Sequence, residues 1–122
     1  MSNCWGQSFH IDCRQCDTNI INDKEKLKIW VKKLVKDIDM VAYGVPQIVW
    51  FGEAGSNKEG FTVVQLIETS NIIAHCNSSD ASMYLDIFTC KIIENLEDKI
   101  EQNIFEWFKP AHITISKLNR QA

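Results

Sequence analysis

Phe61-Thr-Val-Val-Gln-Leu-Ile67, Asn71-Ile-Ile-Ala-His-Cys76 and Ser82-Met-Tyr-Leu-Asp-Ile-Phe-Thr89 are three short β-rich runs separated by brief polar breaks. Each is rich in branched and aromatic residues, and Asn77-Ser-Ser-Asp80 between the last two has turn chemistry. They read as three successive strands. Upstream, Gln47 to Phe51 reads as another strand, with Gly52 to Gly60 a polar loop behind it. At the start of the chain Phe9, Ile11 and Cys13 alternate with Ser8, His10 and Asp12, which predicts a first strand over Ser8 to Cys13. A helix is predicted from Asp23 to Ile38, with Asn22 as its cap and Glu25 completing a capping box. Its apolar stripe is Leu27, Trp30, Val31, Leu34, Val35 and Ile38. A second helix is predicted from Ile93 to Phe108, with Ile93, Leu96, Ile100, Ile104, Trp107 and Phe108 on one side. Pro110 stops it, and His112 to Leu118 closes the chain as a strand. The order β-α-β-β-β-β-α-β predicts an α+β two-layer sandwich, a mainly antiparallel sheet with two helices on one face.

The chain has 122 residues, the size of one domain, and at 45% hydrophobic and 24% charged it can bury a core. A net charge of −3 argues against a nucleic-acid partner, which calls for a basic surface. The lysines from Lys24 to Lys36 interleave with apolar residues at helical spacing and read as a solvated helix face. No apolar run reaches the ~18 residues of a membrane span. The start of the chain lacks the basic and apolar regions of a signal peptide, so the expectation is a cytoplasmic protein with no membrane partner. Five cysteines, an odd number, are then expected as reduced thiols. There is no internal repeat or low-complexity segment.

Chemistry concentrates between Gln65 and Lys91. Ser70, His75 five residues later and Cys90 fifteen beyond that offer a nucleophile, a base and an acid. Spacing alone is weak, since a strand histidine is more often structural and a buried cysteine usually inert. Cys13-Arg-Gln-Cys16 has the form of a redox pair or half a zinc site. It lacks a second ligand pair, so it reads as local packing and no metal site is expected. His10 and His112 read as structural. No phosphate loop and no paired glycosidase carboxylates occur.

These residues carry a resemblance. Ser70, His75 and the strand Asp86-Ile-Phe-Thr-Cys90 keep the spacings of the small prokaryotic S-adenosylmethionine decarboxylases. Trp5-Gly6, Asp12-Cys13, Ile38-Asp-Met-Val-Ala-Tyr-Gly44 and Gln65-Leu-Ile-Glu-Thr-Ser-Asn-Ile72 are similar to one branch of that family, so the likeness covers nearly the whole chain. It implies self-cleavage between Thr69 and Ser70, dividing a single 1–122 domain into chains 1–69 and 70–122. Ser70 would attack the Thr69 carbonyl, Thr62 would steady the charged intermediate and His75 would remove the Ser70 α-proton. Elimination and hydrolysis would leave a covalent pyruvoyl group, derived from Ser70, as cofactor. Its ketone would condense with the amine of S-adenosylmethionine as a Schiff base and draw off the electrons released with CO2. Cys90 would return a proton to the substrate, and the product would donate aminopropyl groups for spermidine synthesis. The resemblance also implies a homodimer of processed protomers.

The sequence departs from the family pattern at defined places. Thr69 and Asn71 flank Ser70 where the family has Glu and His, and Glu68 lies one residue further back. Alignment from His75 and Cys90 makes Ser70 the cofactor precursor, whereas alignment from Glu68 makes it Thr69. The first register satisfies both downstream spacings. Cys76-Asn-Ser-Ser79 replaces the family Trp-Pro-Glu, which contributes to nucleoside binding. Trp50 and Phe51 read either as plain core aromatics or as aromatic faces for substrate binding, with Glu68 a carboxylate for the same purpose. The alternatives are the same chemistry on ornithine or arginine, and a non-catalytic paralogue that acts as a binding partner.

Overall fold

The computed structural model describes residues 4–122. The elements run β1 (Gly6–Arg14), α1 (Thr18–Ile21), α2 (Lys24–Asp37), β2 (Gln47–Phe51), β3 (Gly60–Ile67), β4 (Ser70–Asn77), β5 (Ser82–Thr89), α3 (Leu96–Phe108) and β6 (His112–Arg120). The strands form one antiparallel sheet in the order β2-β3-β4-β5-β1-β6. The result is the expected α+β sandwich, with three helices rather than two.

Period-two alternation decides which sheet face is covered. Register places Phe9, Ile11 and Cys13 opposite Ile87, Leu85 and Met83, and these opposite Ile72, Ala74 and Cys76. All are buried in one cluster with the stripes of α2 and α3. Trp30 meets Phe108 edge-on at 4.8 Å, and its indole N–H donates to Asn103 Oδ1 at 2.8 Å. Asn103 in turn donates to Asp37 at 3.0 Å. Leu27, Trp30, Val31, Leu34 and Val35 of α2 are buried, and each contributes about 1.5–3 kcal/mol. Packing therefore holds this helix far more strongly than its cap, worth ~1 kcal/mol.

The cap itself corrects the sequence reading. Asp23, not Asn22, accepts from Lys26 N–H at 3.0 Å. Its third helical residue is Lys26, so Glu25 completes no capping box. Asn22 instead closes α1, donating its N–H to the Thr18 carbonyl. The start of α3 shifts as well. Asn95 is left-handed at φ 60° and breaks the predicted helix after Ile93, leaving Leu96 as its first residue.

The other sheet face is open. Thr62, His75, Tyr84 and Asp12 line up across it, and Val64, Ile73, Asp86 and His10 form the next row. Trp5 stacks on Phe88 at 5.7 Å, with the Arg120 guanidinium over the same ring at 5.4 Å. Two glycines permit close backbone approach at the sheet ends. A Cβ on Gly6 would strike the Thr89 carbonyl, and one on Gly60 would strike that of Cys76. No described helix is long and apolar enough to cross a membrane.

Candidate active site

Ile67 pairs with Ser70, so Glu68 and Thr69 alone make the β3–β4 turn. Two-residue hairpins favour turns with a positive φ at the first central residue or at both. Here Thr69, the second, is at φ 59° and Glu68 is not positive. That position normally takes Gly or Asn. A β-branched residue held there stores about 1–3 kcal/mol of strain.

Ser70 opens β4 with its side chain on the covered parity, and it is 7% exposed. The neighbouring β5 ends at Thr89, which brings Cys90 alongside. Ser70 Oγ accepts from Cys90 N–H at 3.2 Å and donates toward Cys90 Sγ at 3.9 Å. Thr69 Oγ1 lies 2.8 Å from the same sulfur and donates to the Glu68 carbonyl at 2.6 Å. With the Thr69 proton committed to that carbonyl, the thiol is the donor between Cys90 and Thr69. Four groups thus form one chain of hydrogen bonds, Ser70 to Cys90 to Thr69 to Glu68.

A cavity of about 410 Å³ opens beside them, walled by Met40 to Tyr43 across from Ile67 to Ser70, with Cys90 and Lys91. This volume suits a metabolite-sized ligand. The wall is tied to the sheet. Tyr43 N–H donates to the Leu66 carbonyl at 2.8 Å, and buried Gln65 donates to the carbonyls of Leu66 at 2.8 Å and Gly44 at 3.3 Å. Below it, the Lys99 ammonium, 2.7 Å from Asp39, holds that carboxyl under the usual range.

Thr62 and His75 stand elsewhere. They face each other across β3 and β4, with Thr62 Oγ1 3.3 Å from His75 Nδ1 on the open face. His75 lies five residues along the strand from Ser70, roughly 16 Å away, and the odd spacing turns it to the opposite face. Trp50 is also at the far end of β3. It packs edge-on against Phe61 at 4.8 Å and donates to Glu59 at 3.0 Å, while Phe51 pairs with Gly60. The structure therefore joins Ser70, Cys90, Thr69 and Glu68. It joins Thr62 to His75 separately, with Phe51 at the same end and on the same sheet parity, while Trp50 turns to the covered side with Phe61.

Other expectations have definite outcomes. His10 has a partner, Asp86, whose Oδ1 lies 2.9 Å from Nδ1 in a directly opposed cross-strand pair. Cys13 and Cys16 are buried free thiols. The Cys13 thiol donates to the Cys16 sulfur, which pushes its own pKa up and lowers that of Cys16. Burial pushes Cys76 up to about 12. Among the described residues no group of three or more His, Cys, Asp or Glu side chains could hold a metal ion. The hydroxyl of Thr69 and the Met40–Tyr43 wall were not identified as site features from sequence. The odd Ser70–His75 spacing was the available signal that the two residues face apart.

Comparison with known proteins bears on the family and the fold. The family model described as S-adenosylmethionine decarboxylase matches residues 7–121. The crystal structure of the adenosylmethionine decarboxylase from Aquifex aeolicus vf5 superposes with a TM-score of 0.81 at 17% identity, covering 99% of this chain and 94% of that one. No curated protein matches the sequence.

Proposed function

The chain belongs to the S-adenosylmethionine decarboxylase family, and on that premise we propose that it cuts itself between Thr69 and Ser70 and then decarboxylates S-adenosylmethionine. The observation that carries this reading is the meeting of Ser70 and Cys90 at a strained turn, beside a cavity large enough for the substrate. Ser70 Oγ, held by Cys90 N–H, would attack the carbonyl of the preceding Thr69. The resulting pyruvoyl group, once formed at residue 70, supplies an electron sink for loss of CO2. It would suit this place because Cys90 already holds the residue 70 side chain through its N–H and thiol, and that thiol would return the proton. Glu68 and the Tyr43 ring line the cavity where a sulfonium and an adenine need an anionic and an aromatic neighbour. The product then serves as aminopropyl donor for spermidine.

His75 cannot reach Ser70 of its own protomer. The reading therefore assigns removal of the Ser70 α-proton to the partner subunit's His75, steadied by the partner subunit's Thr62. Two copies facing through their open sheets in opposite directions lay the Thr62–His75 end of one over the Ser70–Cys90 end of the other. Exposed Leu66, Tyr84 and Leu118 on that face support a homodimer. Phe51, which shares the open-face parity of Thr62, would enter the site by the same route, whereas Trp50 sits on the covered parity against Phe61 and would not.

Intact mass of the purified protein tests the cut: two chains, 1–69 and 70–122, with a carbonyl that labels at residue 70. CO2 release with S-adenosylmethionine, ornithine and arginine in parallel tests the substrate. A chain that stays whole and releases nothing favours the non-catalytic reading. A label on a chain that begins at residue 69 moves the precursor to Thr69.

A further inference from the structure

We propose that Thr69 is the positioning residue that sets the rate of self-cleavage, through the strain its left-handed backbone holds at the bond to be cut. The inference rests on the cleavage reading above and explains why a threonine stands at this place. Six described non-glycine residues have positive φ: Gln15, Asp39, Thr69, Ala81, Asn95 and Lys109. Only Thr69 is β-branched, the class for which this conformation is most costly. It also supplies the carbonyl that Ser70 is to attack. The surroundings prevent relaxation. Pairing of Ile67 with Ser70 closes the turn, and Thr69 Oγ1 is tied both to the Glu68 carbonyl and to Cys90.

The chemistry of the first step releases this constraint. Ser70 Oγ forms a bond to the Thr69 carbonyl carbon, the bond from that carbon to the Ser70 nitrogen breaks, and the hydroxyl proton ends on that nitrogen as a free amine. The link from the Thr69 carbonyl carbon to the Ser70 Cα grows from one atom, N, to two, Oγ and Cβ. The longer link no longer demands a closed two-residue turn, so Thr69 can return to negative φ. Strain present in the precursor and partly lost in the transition state lowers the barrier by the part lost.

Two measurements test this, cleavage followed on denaturing gels and thermal unfolding of an uncut Ser70→Ala form. Thr69→Gly removes the strain. It should lengthen the cleavage half-time roughly tenfold and raise the unfolding midpoint in the Ser70→Ala background. Thr69→Asn tolerates the left-handed region without glycine's added unfolded-chain freedom, and it should move both readouts in the same directions. Thr69→Val keeps the branch but loses the hydroxyl ties, and it should cleave faster than the Gly and Asn variants yet more slowly than the native chain. A merely structural residue would not give slower cleavage from a more stable precursor. Native-rate cleavage by both the Gly and Asn variants overturns the inference alone, as does an unchanged midpoint in both. A native chain that never cuts overturns the cleavage reading, and the inference with it.

Discussion

The two ends of the β3–β4 hairpin hold similar groups in opposite ways. At the turn, the hydroxyls of Thr69 and Ser70 and the Cys90 thiol are linked to one another and to backbone, and Ser70 is buried. At the other end, the Thr62 hydroxyl and the His75 imidazole make one contact, at 3.3 Å, on an open face. The first arrangement is built around a bond of its own chain. On the proposed reading, the second is completed by a partner subunit. The difference teaches that residues spaced together in sequence need not meet in space. A strand can send them to opposite faces and opposite ends.

The strongest way to break this comparison is to disable each end in turn. Ser70→Ala should abolish cleavage with little loss of stability, ~1 kcal/mol or less for one ordinary hydrogen bond. His75→Ala should also leave the chain whole. Co-expressed Ser70→Ala and His75→Ala chains should form mixed pairs in which only the His75→Ala chain is cut, because it receives an intact histidine from its neighbour. Mass spectra in which both chains stay whole would separate the two ends functionally. Cys90→Ala should still be cut but lose about 10²-fold or more in decarboxylation, the usual size of a proton-transfer contribution. Full turnover in that variant would move the acid elsewhere.

The two glycines sharpen the comparison at smaller cost. Gly6→Ala and Gly60→Ala each force backbone apart and should lose about 1–3 kcal/mol in denaturant unfolding. Gly6→Ala shifts Thr89 and Cys90, so it should slow cleavage even in a chain whose histidine end is intact. Gly60→Ala presses on Cys76 beside His75, so partner chains carrying Ser70→Ala with it should rescue His75→Ala chains poorly. The smallest effect is expected at the cavity wall. Gln65→Leu frees the Tyr43–Gly44 segment and should raise KM a few-fold with kcat nearly unchanged, the signature of lost substrate positioning.

The fold was legible where one local pattern spoke clearly. Gln47–Phe51 and Ser82–Thr89 are strands over the residues expected, and the stripe of α2 is buried as predicted. Four-residue α1 was missed because so short a helix has no periodicity to show. Its presence displaced Asn22 from capping α2, a competition between neighbouring elements that a local capping rule does not weigh. Within the site, the approach of Ser70 to Cys90 was implied by the family spacing. The left-handed Thr69 was not, because propensity argues against it and only the closed hairpin enforces it. The His10–Asp86 pair depends on the register of β1 against β5, strands more than seventy positions apart.

Strand order gives the proposed cut an unusual physical character. Chain 1–69 would keep β1, which lies between β5 and β6 of chain 70–122, while β3 and β4 stay paired side by side. The two pieces are threaded through one another's hydrogen-bond ladders. Breaking one covalent bond at the turn would therefore leave the particle's hydrodynamic size unchanged and release neither piece without dismantling the sheet. The cut would, however, change the molecularity of folding. A whole chain refolds at a rate independent of concentration, whereas separated pieces must first collide. Once denatured, the processed protein should recover in proportion to concentration, so that formation of the cofactor also makes assembly a step best taken only once.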